Sequence, residues 1–385
     1  MSEGYHHGYP RQQPDRVPHT GIGRRSGATL LLVPLLVVAA AAASWVGVDK
    51  VVYEPGPVFD TLDSIDGTPV VVLDPGLEDH PTEGDLFFTT VRLDGGPGEK
   101  VTLLEWGRAA LDPALTVHPR EEIFPEQVTA EQVREQNTEL MEHSQQDAAV
   151  VALREAGIEV PEDIVVAQVI ADAPADGVLH VDDEILEVEG EPMTDAETVR
   201  SRLQEVTAGE SASMTLVRDG EEVTLDVPTV RDEESGRTIV GVYLAPRYDM
   251  PYDVTISAGN VGGPSAGLMF SLAIYDRITP GALTGGRSVA GTGTISGLGN
   301  VGPISGIRQK MYAAEEAGVE LFLAPEDNCD EVVEGRPDGL VVVPVATFAE
   351  AREHVEAAAG SDDVGALDLP SCQDVVDEDG APATG

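Results

Sequence analysis

Gly259-Asn260-Val261-Gly262-Gly263-Pro264-Ser265-Ala266-Gly267 runs directly into Leu268-Met269-Phe270-Ser271-Leu272-Ala273-Ile274-Tyr275. The paired glycines let the backbone turn sharply. Pro264 has a φ suited to a first helical turn. The apolar run that follows predicts a buried helix, with Ser265 in its opening turn. Free N–H groups and the macrodipole at a helix start favour negative charge, and the tetrahedral intermediate of acyl transfer develops one. Ser265 is therefore a candidate nucleophile, and the backbone of Gly263, Pro264, Ser265 and Ala266 a candidate oxyanion site. A plain helix entry without chemistry fits the same residues.

A second glycine-rich stretch, Gly302-Pro303-Ile304-Ser305-Gly306-Ile307-Arg308-Gln309-Lys310, shifts the balance. After Gly306 a helical run extends to Gly318. Ile307, Lys310, Met311 and Ala314 fall on one face, and Arg308, Gln309, Tyr312, Glu315 and Glu316 on the other. Lys310 occupies the core-facing stripe, where a leucine is expected. Lysine is almost never buried without cause. Burial and a nearby helix N-terminus both disfavour its charge, which leaves a neutral amine able to act as a general base. The competing reading is a lysine that snorkels to solvent from the edge of the stripe.

Gly263-Pro264-Ser265-Ala266-Gly267 resembles the nucleophile motif of Lon-type proteases. The segment from Thr292-Gly293 through Lys310 to Leu321-Phe322-Leu323-Ala324-Pro325 resembles that family's base-bearing segment. The resemblance implies a Ser265–Lys310 dyad, with Thr292 near the lysine to orient it. Many members carry an acidic residue where this chain has Gly262. The order of segments resembles bacterial membrane proteins that join a PDZ domain to a Lon-type proteolytic domain. Such domains commonly form rings, so the resemblance also implies a homo-oligomer. The expected fold class is α+β: an N-terminal transmembrane helix, a PDZ-like β-rich module and a Lon-type α/β proteolytic domain.

Rival chemistries fit less well. Gly263-Pro264-Ser265-Ala266-Gly267 also satisfies G-x-S-x-G, but an α/β-hydrolase needs a later histidine on a loop. The one available, His354, lies in a helical stretch. No H-E-x-x-H or G-x-x-x-x-G-K-[ST] occurs in these 385 residues, so neither zinc proteolysis nor a P-loop ATPase is indicated, and no cofactor or metal is expected. His6 and His7 are weak evidence for a metal. A formal net charge of −46 excludes nucleic acid as a partner, because its phosphates would be repelled.

The rest of the chain divides by composition. Residues 1–27 read as a cytoplasmic, disordered tail. Ala28 to Val48 is an apolar run of 21 residues, long enough to span a bilayer as a transmembrane helix. Arg11, Arg16, Arg24 and Arg25 precede it and acids follow it, so the positive-inside rule places the catalytic part outside the cytoplasmic membrane of a bacterial cell. A cleavable signal peptide is the competitor. Residues 49–160 form an N-terminal α/β region, with strands at Pro69–Leu73 and Asp85–Leu93, a short helix over Val101–Leu111, and a helix from Thr129 with Gln132 placed for a capping box. They are read as possibly part of the catalytic sheet.

Residues 161–232 resemble a PDZ domain, a module that binds extended peptides by strand addition. Asp182 stands where that family usually has glycine. Thr238–Leu244 and Val254–Ile256 are expected strands leading to the catalytic turn of a Lon-type domain over 236–359. Residues 360–385 read as an acidic disordered tail. Cys329 and Cys372 permit a disulfide outside the cytoplasm. The expected function is a membrane-anchored serine endopeptidase acting on peptides or unfolded protein segments without an ATPase of its own. The alternative is a PDZ-based adaptor or chaperone with a dormant peptidase site.

Overall fold

The structure, a computed structural model, describes residue 38 and residues 40–125, 128–233 and 235–379. It is an α+β arrangement built on two sheets.

The first sheet has the order Val341–Val345, Leu321–Pro325, Ser288–Gly291, Asp85–Asp94, Lys50–Asp60, Thr116–Pro119. Its first four strands run parallel and the last two pair antiparallel. Leu321–Pro325 is buried along its whole length, as a parallel strand covered on both faces must be. Successive side chains point to opposite faces. Leu321 and Leu323 accordingly pack with the helices Ala130–Glu155, Gly267–Ile278 and Phe348–Ala359. Phe322 and Ala324 pack with Ile307–Glu316, Cys329–Gly335 and Cys372–Asp379 on the other face.

The second sheet has the order Glu221–Pro228, Ser211–Arg218, Glu184–Val188, Glu162–Val169, Val242–Tyr248. It encloses its own core with the helix Ala196–Glu205, whose N-cap Asp195 forms a capping box with Thr198. Asp219 and Gly220 both have positive φ, as a two-residue hairpin turn requires. Asp182 has φ 70°, the left-handed conformation that favours glycine at this position.

Local signals translated directly. Thr129 caps Ala130–Glu155 with Gln132 closing a capping box, and Gly157 follows at φ 81°. The short helix is Leu103–Ala109, capped by Thr102 and Glu105.

Four expectations need correction. Val242–Tyr248 does not lead to the catalytic turn; it pairs with Glu162–Val169 and completes the PDZ-like sheet, a long-range pairing that no local pattern encodes. Gln309 is buried, not solvent-facing, because its amide donates to Ala114 O at 3.1 Å and Thr116 Oγ1 at 3.2 Å. The C-terminal segment to Asp379 is ordered. Val364, Leu367 and Leu369 pack on the main core, and Cys372, Val375 and Val376 on the other face. These apolar residues are spread among acids, so average composition conceals them. Lastly, the apolar run does not continue as helix to Val48. Residues 40–43 are helical, Ser44-Trp45 turn, and Gly47–Val48 pairs with Val101–Thr102. Residues 1–37 and 39, and so most of the expected span, lie outside the described residues. Among the described residues no helix is long and apolar enough to cross a membrane.

Cys329 and Cys372 are joined in a disulfide that closes a loop of sequence separation 43. Reduction is expected to lower stability by about 4 kcal/mol through the freed chain entropy of the unfolded state, read as a shift of the denaturant midpoint with and without reductant.

Asp276, near the end of Gly267–Ile278, is 1% exposed. Its Oδ1 accepts from Leu283 N–H at 2.7 Å, while Oδ2 has no partner among the described residues. Burial pushes its carboxyl up to about 6. The folded state then holds a proton that the unfolded state releases from about pH 4 upward. Stability should therefore fall as pH rises from about 4 to 6, by roughly 2–3 kcal/mol at ~1.4 kcal/mol for each pH unit. Asp276→Asn is expected to flatten that slope in urea titrations run across the window.

Candidate active site

The two glycine-rich stretches converge at the carboxyl end of Ser288–Gly291. Ser265 lies on the turn before Gly267–Ile278, and Lys310 lies in the first turn of Ile307–Glu316, on the opposite face of the sheet. They meet because the strand ends between them. Lys310 Nζ is 2.7 Å from Ser265 Oγ and donates to Thr292 Oγ1 at 2.8 Å. Thr292 Oγ1 donates to Ser265 O at 2.9 Å. Thr292 has one hydroxyl hydrogen, and that bond uses it, so it can only accept from the amine. An amine N–H held on Thr292 leaves the nitrogen lone pair free to face the serine hydroxyl.

Lys310 is 2% exposed, and burial alone brings its amine down to about 7. Ile307, Met311 and Ala314 are buried beside it, as the helical stripe predicts. Gly306 caps the helix at φ 74°, and a Cβ there would meet Val91 Cγ2 at 2.7 Å. The strand Ser288–Gly291 stops short of Thr292, and strand structure resumes at Thr294–Ile295. The break frees Thr292 to turn toward the amine.

The backbone around Ser265 narrows the oxyanion candidates. Pro264 has no N–H, and Gly263 N–H donates to Asn137 O at 2.9 Å, so neither fits that role. Gly267 N–H donates to Pro264 O and Leu268 N–H to Gly293 O. The amides of Ser265 and Ala266 carry no acceptor among the described residues and are the donors that fit. The helix begins at Gly267 with Ala266 as its N-cap, two residues later than a Ser265 inside the first turn requires.

Several supporting residues escaped the sequence reading. Ser144 Oγ donates to Pro264 O at 2.9 Å, and Asn137 O holds Gly263; both come from Ala130–Glu155. The available signal is a polar residue on an apolar stripe, since Met141, Ser144, Ala148 and Val151 share one helical face. Asn137 also accounts for Gly262: a Cβ there would approach Asn137 Cβ to 3.0 Å, so the acidic side chain common in the Lon family has no room without a shift. Asn328 pins Ile304 by both backbone groups at 2.9 Å and so fixes the loop ahead of Lys310. Ser265 and Lys310 open onto a cleft of 1040 Å³ whose walls include Phe59, Phe88, Val91 and Met141. Among the described residues no cluster of three His, Cys, Asp or Glu side chains could hold a metal ion. His6 and His7 lie outside them.

A serine hydroxyl in contact with a buried amine, beside backbone amides that carry no acceptor among the described residues, is an arrangement able to carry out nucleophilic acyl transfer. Residues 249–354 match the family model described as Lon protease (S16) C-terminal proteolytic domain, and residues 132–229 match that of the PDZ domain. The chain therefore carries a Lon-type proteolytic domain and a PDZ domain. It is 30% identical over 136 residues to an Archaeal Lon protease from Archaeoglobus fulgidus, covering 35% of this chain and 21% of that one. To Lon protease 1 of Bacillus subtilis it is 32% identical over 111 residues, covering 28% and 14% respectively. The chain thus spans about a fifth or less of the length of these relatives. Among solved structures, it is similar to the PDZ domain of an SdrC-like protein from Listeria monocytogenes, with 21% identity, a TM-score of 0.20, and coverage of 21% of this chain and 85% of that one.

Proposed function

We propose that this chain is a serine endopeptidase with a Ser265–Lys310 dyad, anchored by the Ala28–Val48 segment and acting outside the cytoplasmic membrane of a bacterium. The observation that carries the catalytic reading is a buried amine 2.7 Å from a serine hydroxyl.

Neutral Lys310 takes the proton of Ser265 as its Oγ attacks a peptide carbonyl carbon. The amides of Ser265 and Ala266 hold the oxyanion. When the C–N bond breaks, Lys310 passes the proton to the leaving amine and an acyl-enzyme remains. Water, deprotonated by the same amine, hydrolyses the ester. Thr292 keeps the amine aimed throughout.

In this reading cleavage proceeds without ATP and favours peptides, unfolded chains and flexible ends. The PDZ domain binds or screens such segments, and the proteolytic domains associate as a ring. Wild-type, Ser265→Ala and Lys310→Ala proteins, incubated without ATP with an unfolded protein, decide the matter. Cleavage by the wild type alone supports the proposal; equal cleavage in all three, or none, favours a PDZ-based adaptor with a dormant site. Retention in membranes after a carbonate wash tests the anchor separately.

A further inference from the structure

The chain has two tryptophans and three lysines. One lysine is Lys310. Both tryptophans and both remaining lysines lie where the apolar N-terminal segment meets the folded domain, although they are far apart in sequence.

The pairing of Gly47–Val48 with Val101–Thr102 makes this meeting. Leu103 N–H donates to Val46 O at 2.8 Å, which seats the helix Leu103–Ala109 against the emerging chain. The outer surface there is apolar: Trp45 is 90% exposed and Leu111 88%, with Val46, Leu103, Leu104 and Trp106 also exposed. Beneath them Val52, Val101, Ala109 and Leu115 form a separate small core, so the patch rests on packed structure. Lys100 pairs with Asp49 at 3.0 Å, and Lys50 opens the next strand. Three of the nearby acids are engaged: Asp49 by Lys100, Glu105 by the Thr102 N–H and hydroxyl, and Asp112 by Ala114 N–H.

Exposed leucines with tryptophan at their rim and lysines just behind are the composition of a membrane interface. Tryptophan rings sit at headgroup level, and lysine stems snorkel toward the phosphates. In a chain of net charge −46, both lysines other than Lys310 stand beside this patch, with the charge of Lys100 shared by Asp49.

We propose that Trp45, Val46, Leu103, Leu104, Trp106 and Leu111 form a foot that lies in the headgroup region of the bilayer and fixes how the folded part stands on it. The inference rests on the anchored reading above. It has a consequence for substrates. Lys50–Asp60 runs from the foot to the cleft, where Tyr53, Pro57 and Phe59 line the wall. At ~3.3 Å per residue, this strand keeps the cleft within about 30 Å of the foot. The accessible substrates are then segments close to the membrane surface.

The test uses the full chain carrying Trp45→Phe, so that Trp106 is the sole tryptophan, in phosphatidylcholine vesicles with or without bromine near the top of the acyl chains. A Trp106 emission that moves to the blue and loses roughly half its intensity to the brominated lipid is the expected result, given insertion of about 5–10 Å. The further change Leu103→Glu with Leu104→Glu should abolish the quenching while cleavage of an unfolded substrate continues. Trp106 untouched by brominated lipid in protein that resists carbonate would overturn the foot, whether aqueous iodide reaches it (a free surface) or does not (a second copy covering it). Release by carbonate with quenching retained would sink the anchor and leave the foot standing; release without quenching would sink both.

Discussion

Alanine in place of Ser265 or Lys310 is expected to remove peptide-bond cleavage by at least about a thousandfold in kcat, with little change in substrate affinity. Each residue supplies a function the other cannot. Without the hydroxyl no acyl-enzyme forms, and without the amine the hydroxyl remains a weak nucleophile. The two losses should not add, because each empties the same mechanism. The pH profile tests the amine's role. Only the neutral amine accepts a proton, and burial sets its titration at about 7. The kcat/KM of wild-type enzyme should therefore fall about tenfold for each pH unit below that point and level off above it. Lys310→Arg should be as inactive as the alanine variant, since a guanidinium is not deprotonated in proteins. A rate that stays flat from pH 5 to 8 would remove the amine from the proton-transfer role.

Replacing Lys310 with methionine is expected to make the protein inactive and more stable. The amine is buried beside Ile307, Met311 and Ala314 and has no acid partner among the described residues. Between the folded value of about 7 and the ordinary value of 10.5, the unfolded chain binds a proton that the folded protein does not. Wild-type stability should thus rise with pH across that window, by ~1.4 kcal/mol per pH unit. At pH 7 the methionine variant should be more stable by about 2–4 kcal/mol, after allowing for the lost hydrogen bonds to Ser265 and Thr292. The advantage should shrink as pH rises toward 10. Urea midpoints of both proteins at pH 7 and 9.5 provide the comparison, and a methionine variant less stable than wild type at pH 7 would contradict it.

Much of the site was legible along the chain, because its parts are local. A glycine-proline turn before an apolar run locates Ser265. A lysine in an apolar helical stripe stands out against the rule that core stripes are apolar. The capping box at Thr129 and the hairpin at Asp219-Gly220 are likewise decided within four residues, by backbone sterics and nearby hydrogen bonds. The supporting shell was not legible. Asn137 and Ser144 act through contacts more than a hundred residues away from their partners, and the buried Gln309 depends on the segment around Ala114–Thr116 closing over it. Val242–Tyr248 reads as an ordinary strand whichever sheet receives it.

Sequence alone therefore determined that a serine follows a glycine-proline turn and that a lysine stands in an apolar helical stripe, along with segments that resemble two separate modules. Tertiary structure alone decided that the two residues touch. They approach from opposite faces of one sheet and meet past the end of Ser288–Gly291, where Thr292 holds both the amine and the serine carbonyl. Periodicity reports which side of an element is buried; it carries no information about which distant element buries it, because that choice is made by long-range packing.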